Sequence, residues 1–384
     1  MKKILVSLCI VMIAIVSTVT FISCSNEETA GDKVVTDLLG REVTVPNDPQ
    51  RIVCVGAGAL RLYTYIGDLS KLAGVENVEK TDSTYGTNLA IRPYKEVNQE
   101  LFNSLKDCGK GGPKNQTAEP EAIIECNPDL IISLMSLDKD GADTLQQQTG
   151  TPVIQLSYGS NVISGEPIVK SIELLGKVLN KEERATEIIN YMTSLKTDIN
   201  NRTKDIAEAS KPSVYLGCQS FYGVGGFLRT TANYPVFNIA NIKNAITADK
   251  IVTDNSETDM EKIVAIDPDK IIIDLGGLNT MKGEYAVSEK AAIYNSLTAM
   301  KNGEVYVQLP YNAYYTNIEV LYINAYYVAS VVYPEAFSDV NIVTKADEIF
   351  TKFLGKSFYA EISAKYGELR RLDLAATFEN YTNE

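Results

Sequence analysis

Histidine and tryptophan are both absent from this chain of 384 residues. Without histidine, the chain cannot form a Ser-His-Asp triad, a Cys-His pair, an HExxH zinc site or any imidazole general base. Catalysis by carboxylates or lysine remains compatible with the composition. The absence therefore excludes the most common hydrolase chemistry and leaves binding proteins and carboxylate-dependent enzymes open.

Cysteine is scarce, and its spacing shows no CxxC pair. Besides Cys24, the chain after the N-terminal segment contains four cysteines at long intervals: Cys54, Cys108, Cys126 and Cys218. Metal-binding cysteines usually come as closely spaced pairs, so no four-cysteine metal site is expected. Buried free thiols are the favoured interpretation, and one disulfide remains open for an exported chain.

Positive charge is also in deficit. The formal net charge is −13 at pH 7. An acidic chain of this kind repels phosphate backbones, so nucleic acid is not expected as a partner.

The N-terminal segment has the pattern of an export signal. Two lysines precede an uncharged apolar run, residues 4–22, and Cys24 follows directly before a polar stretch. This arrangement resembles the lipobox of lipoproteins, in which the cysteine becomes the lipidated N-terminus. A plain transmembrane anchor is the alternative, because an apolar run of this length nearly spans a bilayer. The sequence predicts a signal peptide at residues 1–23, a flexible tether at 24–33, and a folded part held outside the cytoplasm at a membrane surface.

One unit occurs twice in the remaining chain. "EPEAIIECNPDLIIS" at residues 119–133 and "DMEKIVAIDPDKIIID" at 259–274 both read as a short amphipathic helix, an Asn/Asp-Pro-Asp turn and a buried strand. Two such units in a chain of this length indicate two related α/β lobes.

The segments between these units give the predicted domain boundaries. A proline-free helical pattern rich in lysine and glutamate runs between the lobes and predicts one long interlobe helix. The expected architecture is two Rossmann-like lobes joined by that helix. Its parts are an N-terminal α/β lobe at 34–163, the interlobe helix at 164–210, a C-terminal α/β lobe at 211–345 and C-terminal helices at 346–384.

Several of these segments carry a family resemblance. The hairpin pattern D-x-x-G-R-x-V-x-V-P at residues 37–46, the following "RIVCV" strand, the duplicated units and the interlobe helix resemble class III substrate-binding proteins of ABC importers. "RPYKEVNQEL", "YPVFNIANIKNA" and the tyrosine-rich stretch near residue 315 resemble a subgroup associated with iron complexes. The resemblance implies a monomer that binds a small ligand in a cleft between the two lobes. It binds this ligand without chemistry and partners with an importer permease and its ATPase.

The loops after the predicted strands are the candidate ligand contacts, because open α/β sheets bind ligands at the carboxyl ends of their strands. "GAGA" allows close approach of backbone N–H groups to an anion. It also imitates half of a dinucleotide-binding motif, but Arg61 stands at the third glycine position. Arg61 either faces the cleft or lies on the helix surface, and both remain open. The candidates in the N-terminal lobe are Gly56, Ala57, Gly58, Arg61, Arg92, Tyr94 and Tyr158.

The second lobe offers a long glycine- and aromatic-rich loop and a tyrosine-rich stretch. "TNIE" at 316–319 matches a capping box and predicts a helix that begins at Thr316. The residues before it are then loop, whereas Tyr322, Tyr326 and Tyr327 belong to a packed helical face. The candidate ligand contacts here are Tyr222, Arg229, Tyr234, Gly277, Tyr311, Asn312, Tyr314 and Tyr315.

Arginine, tyrosine and glycine in these loops indicate an anionic ligand with flat apolar parts. Given the resemblance, the predicted ligand is an anionic iron complex such as a siderophore, haem or a corrinoid. The protein itself is expected to carry no cofactor and no metal site. A molybdate- or tungstate-type oxyanion and a surface enzyme that uses the same cleft remain alternatives.

The resemblance also implies a surface for the permease. In this family each lobe offers a surface acid to basic residues of the permease, and alignment of the duplicated units matches Glu121 with Glu261. Exposed acids in the first turn of a helix are also stabilised by the helix dipole, so this placement is compatible with either role.

Overall fold

The computed structural model describes most of the chain after the N-terminal segment. The described ranges are residues 31–81, 91–112, 117–159, 165–221, 223–250 and 256–378. The predicted signal peptide, Cys24 and Tyr222 lie outside them. No helix within these ranges is long and apolar enough to cross a membrane.

An antiparallel hairpin opens the folded part. Strands β1 (Asp32–Thr36) and β2 (Glu42–Pro46) pair along their full length. Since β1 begins at Asp32, the flexible tether predicted to reach residue 33 ends earlier. The buried Asp37 carboxylate holds the turn by accepting hydrogen bonds from the backbone N–H groups of Leu39 and Arg41 and from the Arg41 guanidinium.

The N-terminal lobe is built on a five-stranded parallel sheet. The strands are β3 (Ile52–Val55), β4 (Leu72–Val75), β5 (Lys106–Asp107), β6 (Leu130–Ser133) and β7 (Val153–Gln155). Their order in the sheet is β5-β4-β3-β6-β7. Strands β3 and β6 are mainly apolar and buried along their length, because helices cover both faces of the sheet. The helices are α1 (Ala59–Ile66), α2 (Pro93–Val97), α3 (Gln99–Ser104), α4 (Pro120–Glu125) and α5 (Lys139–Thr149).

The predicted single interlobe helix is two helices, which corrects that prediction. Helix α6 (Glu166–Leu179) ends at Asn180, which adopts a left-handed conformation with φ 53°, and α7 (Glu182–Thr203) follows. Asparagine tolerates this conformation better than other residues with a side chain, so it can end a helix without glycine. Helix α6 packs on α1, whereas α7 continues to the C-terminal lobe.

The C-terminal lobe repeats the parallel sheet of the first lobe. The strands are β8 (Ser213–Gly217), β9 (Arg229–Thr230), β10 (Lys243–Asn244), β11 (Ser256–Glu257), β12 (Lys270–Asp274), β13 (Val305–Gln308) and β14 (Arg370–Arg371). The main sheet has the order β10-β8-β12-β13-β14, in which the parallel strands β8, β12 and β13 occupy the places of β3, β6 and β7. Two similar parallel sheets confirm the α/β fold class and agree with the two-lobe prediction.

Helices complete this lobe and the C-terminal segment. They are α8 (Pro235–Ile239), α9 (Met260–Ile266), α10 (Leu278–Tyr285), α11 (Ser288–Tyr294), α12 (Thr298–Lys301), α13 (Ile318–Val332), α14 (Ile342–Leu354), α15 (Tyr359–Tyr366) and α16 (Leu374–Phe378). Single turns of 3-10 helix lie at Leu69–Lys71, Asn77–Glu79, Glu208–Ser210, Ala248–Lys250 and Leu275–Gly277. The C-terminal segment, predicted to be helical, also contributes β14, which pairs antiparallel with β13.

The core runs through both lobes. Tyr322, Tyr326 and Tyr327 on α13 are buried in it, as their helical spacing predicts. The four cysteines at positions 54, 108, 126 and 218 are buried free thiols. Burial raises the pKa of the Cys54 and Cys218 thiols well above the usual value, so both stay protonated.

Candidate ligand cleft

The segment between β13 and α13, residues 309–317, joins the two lobes and is here named the crossing loop. It leaves the carboxyl end of the C-terminal sheet and contacts residues that follow β3, β4 and β7 of the N-terminal lobe. The carboxyl ends of both sheets therefore meet around this loop. Ligands of open α/β sheets bind at such ends, so this region is the candidate cleft.

The crossing loop is held by Arg61, whose guanidinium is fully buried. Its Nη2 donates to the carbonyl of Ala313 at 2.6 Å and its Nη1 to the carbonyl of Tyr314 at 3.0 Å. Its Nε donates to Oδ1 of Asn317 at 3.1 Å, and its Nη1 also contacts the hydroxyl of Tyr158 at 3.3 Å. In this conformation Arg61 fixes the loop and is not available to a ligand.

Arg92, the second predicted arginine, forms a buried ion pair. Its Nη1 lies 3.0 Å from Oε2 of Glu79, and its Nη2 donates to the carbonyl of Val78. The Tyr94 hydroxyl donates to the other oxygen of Glu79 at 2.6 Å. These residues form a closed structural cluster beneath the crossing loop. Arg92 and Tyr94 are therefore buried against protein groups rather than presented to the cleft.

Glu76 was not predicted, and it occupies the position expected for an anionic ligand. Its Oε1 accepts a hydrogen bond from the backbone N–H of Gly56 at 3.0 Å, and its Oε2 accepts one from the Tyr314 hydroxyl at 2.7 Å. The Tyr314 oxygen in turn accepts from the N–H of Gly112. The backbone donor at the start of "GAGA" is thus already paired with a carboxylate of the chain itself.

Burial makes the Glu76 carboxyl a weak acid. It raises the pKa of Glu76 to about 7, although the hydrogen bonds from Tyr314 and Gly56 act in the opposite direction. Nothing in the local sequence "GVENVE" distinguishes this residue from a surface acid. Its place directly after β4 is the one signal that could have identified it.

The two glycines of "GAGA" lie so close to neighbouring residues that neither position has room for a side chain. A Cβ on Gly56 would lie 2.6 Å from the backbone nitrogen of Met135, and one on Gly58 would lie 2.5 Å from the Tyr158 ring. Both glycines have positive φ, and Ala57 between them is buried. Close packing and positive φ angles therefore account for the glycines of this motif, and a bound dinucleotide is not needed to explain them.

Tyr315 is the crossing-loop side chain most open to solvent, with 42% of its surface exposed. Its ring stacks on that of Tyr158, with centroids 5.0 Å apart and planes inclined by 13°. Tyr314 and Tyr315 both have left-handed backbone conformations, and their side chains lie in different environments. Tyr314 is buried in the N-terminal lobe, and Tyr315 presents an aromatic face at the cleft.

The helix after the crossing loop begins later than the capping box predicts. Helix α13 starts at Ile318 with Asn317 before it, while Thr316 forms a β-bridge with the half-buried Asn312. Glu319 does not turn back to the helix end, because its buried carboxylate accepts a hydrogen bond from the Tyr65 hydroxyl. The predicted capping pair is therefore wrong, since a tertiary contact takes the glutamate.

The C-terminal side of the cleft is ordered by Asp274 at the end of β12. Its carboxylate accepts hydrogen bonds from the Ser220 hydroxyl at 2.8 Å and from the backbone N–H of Gly276 at 2.8 Å. Burial raises the pKa of Asp274 to about 6, opposed by these hydrogen bonds. Gly277 packs so closely that a Cβ would lie 2.4 Å from the carbonyl of Cys218.

The other predicted residues of this lobe differ in exposure. Tyr234 and Tyr311 are buried with ring centroids 5.9 Å apart, and the Tyr234 hydroxyl is bonded to the Gln308 amide. Arg229 is partly exposed. Its Nη2 donates to the carbonyl of Phe221, whereas its Nε is buried with no hydrogen-bond partner in the described part of the chain. Of the three predicted arginines, Arg229 is the one that is partly exposed.

A hollow of about 980 Å³ lies on the side of the C-terminal lobe opposite the cleft. It is lined by residues such as Ser213, Lys243 and Ile266, near the amino ends of strands.

In the described ranges, no group of three or more cysteine and carboxylate side chains could hold a metal ion.

Glu121 and Glu261 lie in equivalent places outside the cleft. Each is exposed in the first turn of its helix, α4 or α9. Each helix precedes a parallel strand of its own lobe, so its N-terminus lies on the cleft side of that lobe.

Comparison with known proteins identifies the family. A family model described as periplasmic binding protein matches residues 52–310. The uncharacterized ABC transporter substrate-binding lipoprotein YvrC of Bacillus subtilis is 25% identical over 273 residues, which are 71% of this chain and 76% of that protein.

Solved structures share the fold. A periplasmic solute-binding protein from Veillonella parvula matches with a TM-score of 0.66 and 19% identity over 91% of this chain and all of that chain. The molybdate-bound binding protein MolA of Haemophilus influenzae matches with a TM-score of 0.63 and 16% identity, over 85% of this chain and 99% of that one. Together with the family match, they confirm the resemblance found in the sequence, and the chain belongs to the periplasmic binding protein family.

Proposed function

We propose that this chain is a lipid-anchored, extracytoplasmic solute-binding protein that delivers an anionic iron complex to an ABC importer. The ligand class is a siderophore complex, haem or a related corrinoid or chelate. The family supports the binding role, and the pattern at Cys24 supports the lipid anchor. The exposed acids Glu121 and Glu261, one on each lobe, support contact with a permease.

One observation carries the choice of ligand class: the exposed Tyr315 ring stacked on Tyr158 at the cleft. An aromatic face suits a bulky ligand with flat apolar parts. A small oxyanion needs several free donors around it, but Arg61 and Arg92 donate to protein groups and the Gly56 N–H is paired with Glu76. Arg229 is partly exposed, so its positive charge is available for the negative charge of a larger complex.

The buried acids beside the cleft are occupied by structural contacts. Glu76 is bonded to Gly56 and Tyr314, and Glu79 to Arg92 and Tyr94. A pair of carboxyls for general acid–base catalysis needs access to a substrate. This arrangement favours reversible binding over catalysis.

The test is a thermal-shift and titration screen of the chain from residue 25 against ferric siderophores, haem, corrinoids, molybdate and tungstate. One iron complex or corrinoid at 100 times its Kd should stabilise the protein by about 2.7 kcal/mol. Stabilisation by molybdate or tungstate alone would overturn the ligand class, and turnover of a substrate without stabilisation by any solute would overturn the binding role.

Tyr315→Ala should weaken binding of the identified solute about three- to tenfold, because the stacked aromatic face is lost. The matched control is Tyr285→Ala. Tyr285 is also partly exposed and stacked, on Phe378, but it lies at the far end of α10. Equal losses in both variants, or no loss at Tyr315, would show that this face does not contact the solute.

A further inference from the structure

The chain enters the folded part at one corner of the N-terminal lobe. Strand β1 begins at Asp32, and the Lys33 ammonium donates to the carbonyl of Lys177 at 2.7 Å and to Oδ1 of Asn180 at 2.6 Å. The Asn180 amide in turn donates to the carbonyl of Asn47 at 2.6 Å. The open end of the hairpin is therefore fixed to the turn between α6 and α7. This region, residues 32–34, 47 and 177–183, is here named the tether corner.

The tether corner lies at the end of the lobe opposite the cleft. The closed end of the hairpin contacts the carboxyl end of β7, where the N–H of Leu38 donates to the carbonyl of Gln155 at 3.1 Å. The open end continues into the amino end of β3. Helix α6 starts beside the segment after β7, where the Ser171 hydroxyl donates to the carbonyl of Ser157, and it ends at the corner. Its 14 residues place the corner about 21 Å from the cleft end of the lobe.

The predicted lipid site is close to this corner along the chain. Cys24 and Asp32 are eight positions apart, so the backbone between them reaches at most about 29 Å. The root-mean-square reach of an unstructured chain of this length is only about 16 Å. This mean reach is shorter than the distance of about 21 Å between the tether corner and the cleft end. A lipid on Cys24 therefore keeps the tether corner nearer to the bilayer than the cleft.

The surface of the tether corner suits the headgroup layer of a bilayer. Val34 is 63% exposed, more than any other large hydrophobic residue in the described part of the chain. Lys177 and Lys181 are exposed at the end of α6, and a lysine near an anionic membrane surface contributes about 1 kcal/mol. The exposed acids Glu182 and Glu183 follow directly and limit this attraction. Such contacts are weak, and a short tether makes them effective because it raises the local concentration of the surface at the bilayer.

We propose that the tether corner is the membrane-facing surface of the anchored protein, in contact with lipid headgroups, and that the short segment after Cys24 sets this orientation. This inference rests on the lipid anchor of the proposed function. In this orientation the carboxyl ends of the N-terminal sheet, and the cleft with them, point away from the bilayer. The cleft is then open to solutes that arrive from the surrounding medium.

The experiment compares two exposed lysines at opposite ends of the N-terminal lobe. Lys177→Cys places a fluorescent label at the tether corner. Lys139→Cys, the matched control, places the label at the start of α5, beside Gly40 in the closed end of the hairpin.

Both variants are isolated in acylated form from membranes of the source organism. They are labelled in the native state with a polar maleimide, which does not reach the four buried cysteines. The labelled proteins are then added to vesicles of phosphatidylethanolamine and phosphatidylglycerol that carry nitroxide quenchers on some headgroups. Fluorescence quenching reports how close each label lies to the bilayer surface.

The label at Lys177→Cys should be quenched about threefold or more strongly than the label at Lys139→Cys, because the mean reach of the tether is shorter than the lobe. Insertion of about 24 Gly/Ser residues after Cys24 doubles the mean reach to about 32 Å and should make the two quenching values nearly equal. Equal or stronger quenching at Lys139→Cys with the natural tether would overturn the inference. A difference that survives the insertion would also overturn it, because the tether would then not set the orientation.

Mass spectrometry of the same samples separates failure of this inference from failure of the proposed function. If Cys24 is acylated but both labels are quenched equally, only the inference fails. If Cys24 carries no lipid, the anchor of the proposed function is wrong and the inference fails with it.

Discussion

Arg61 shows how one residue can decide the shape of a binding region. Its fully buried guanidinium donates to two carbonyls and one side chain of a loop more than 250 positions away in sequence. A buried charge is stable only when it is paired or hydrogen-bonded. Glu319 and the loop carbonyls supply this environment. Burial raises the pKa of Glu319, and the positive charge of Arg61 acts in the opposite direction.

Arg61→Met should lower the free energy of unfolding by about 3 kcal/mol or more, because removal leaves carbonyls and Glu319 buried without their cation. Urea denaturation measures the change. Arg370→Met is the control, since Arg370 is partly exposed and bonds one nearby carbonyl. A loss at Arg61 no larger than at Arg370 would contradict the assigned anchoring role.

Among the elements, the crossing loop is bonded to a carboxyl group that titrates near neutral pH. Tyr314 reaches into the N-terminal lobe and donates to Glu76, whose pKa is raised by burial to about 7. The fold therefore favours the neutral acid. This contribution to stability is fully present below the ordinary pKa of about 4.5 and is lost as pH rises through about 7.

Glu76→Gln removes this titration and keeps the shape of the side chain. The unfolding free energy of the variant, measured relative to the wild type, should rise by on the order of 2–3 kcal/mol between pH 4.5 and 7.5. Asp274, whose pKa is also raised, is present in both proteins and cancels in the difference. Glu125→Gln, at an exposed acid, controls for loss of one negative charge. A difference independent of pH would refute the assignment to Glu76.

At the scale of the whole molecule, the lobes are tied at several places besides the crossing loop. Near the start of α7, Arg184 donates to the carbonyl of Tyr65 in α1 and to that of Lys352 in α14. On α15, Lys365 and Tyr366 both contact Glu96 of the N-terminal lobe at 2.6–2.7 Å. These contacts oppose a wide hinge motion.

Ligand binding should therefore change the overall size of the molecule very little. We expect the radius of gyration to differ by less than about 1 Å with and without the identified solute, as in pre-organised complexes. Small-angle X-ray scattering of the same sample before and after addition of the solute measures this difference. A larger contraction would indicate hinge closure and contradict a stiff connection.

The sequence predicted the elements more reliably than the partners of its charged side chains. The duplicated Pro-Asp units, the buried strands and the packed tyrosines of α13 follow from local patterns, which depend on residues close in sequence. The division between α6 and α7 had a local signal in Asn180, which the long helical periodicity outweighed. Glu76 had no local signal apart from its place directly after β4, and Glu79 had none, because the burial of both depends on distant residues.

Two α/β lobes, an acidic composition and the loops that surround the cleft follow from the amino-acid sequence alone, since hydrophobic period, charge and turn residues act locally. Tertiary structure decided which side chains of those loops remain open to a ligand. Tyr314 and Tyr315 are adjacent in the chain and of the same type. The Tyr314 side chain is buried and donates to Glu76, whereas the Tyr315 ring is exposed and stacks on Tyr158. That difference arises because contacts across the lobes, between residues far apart in the chain, set burial and hydrogen bonding.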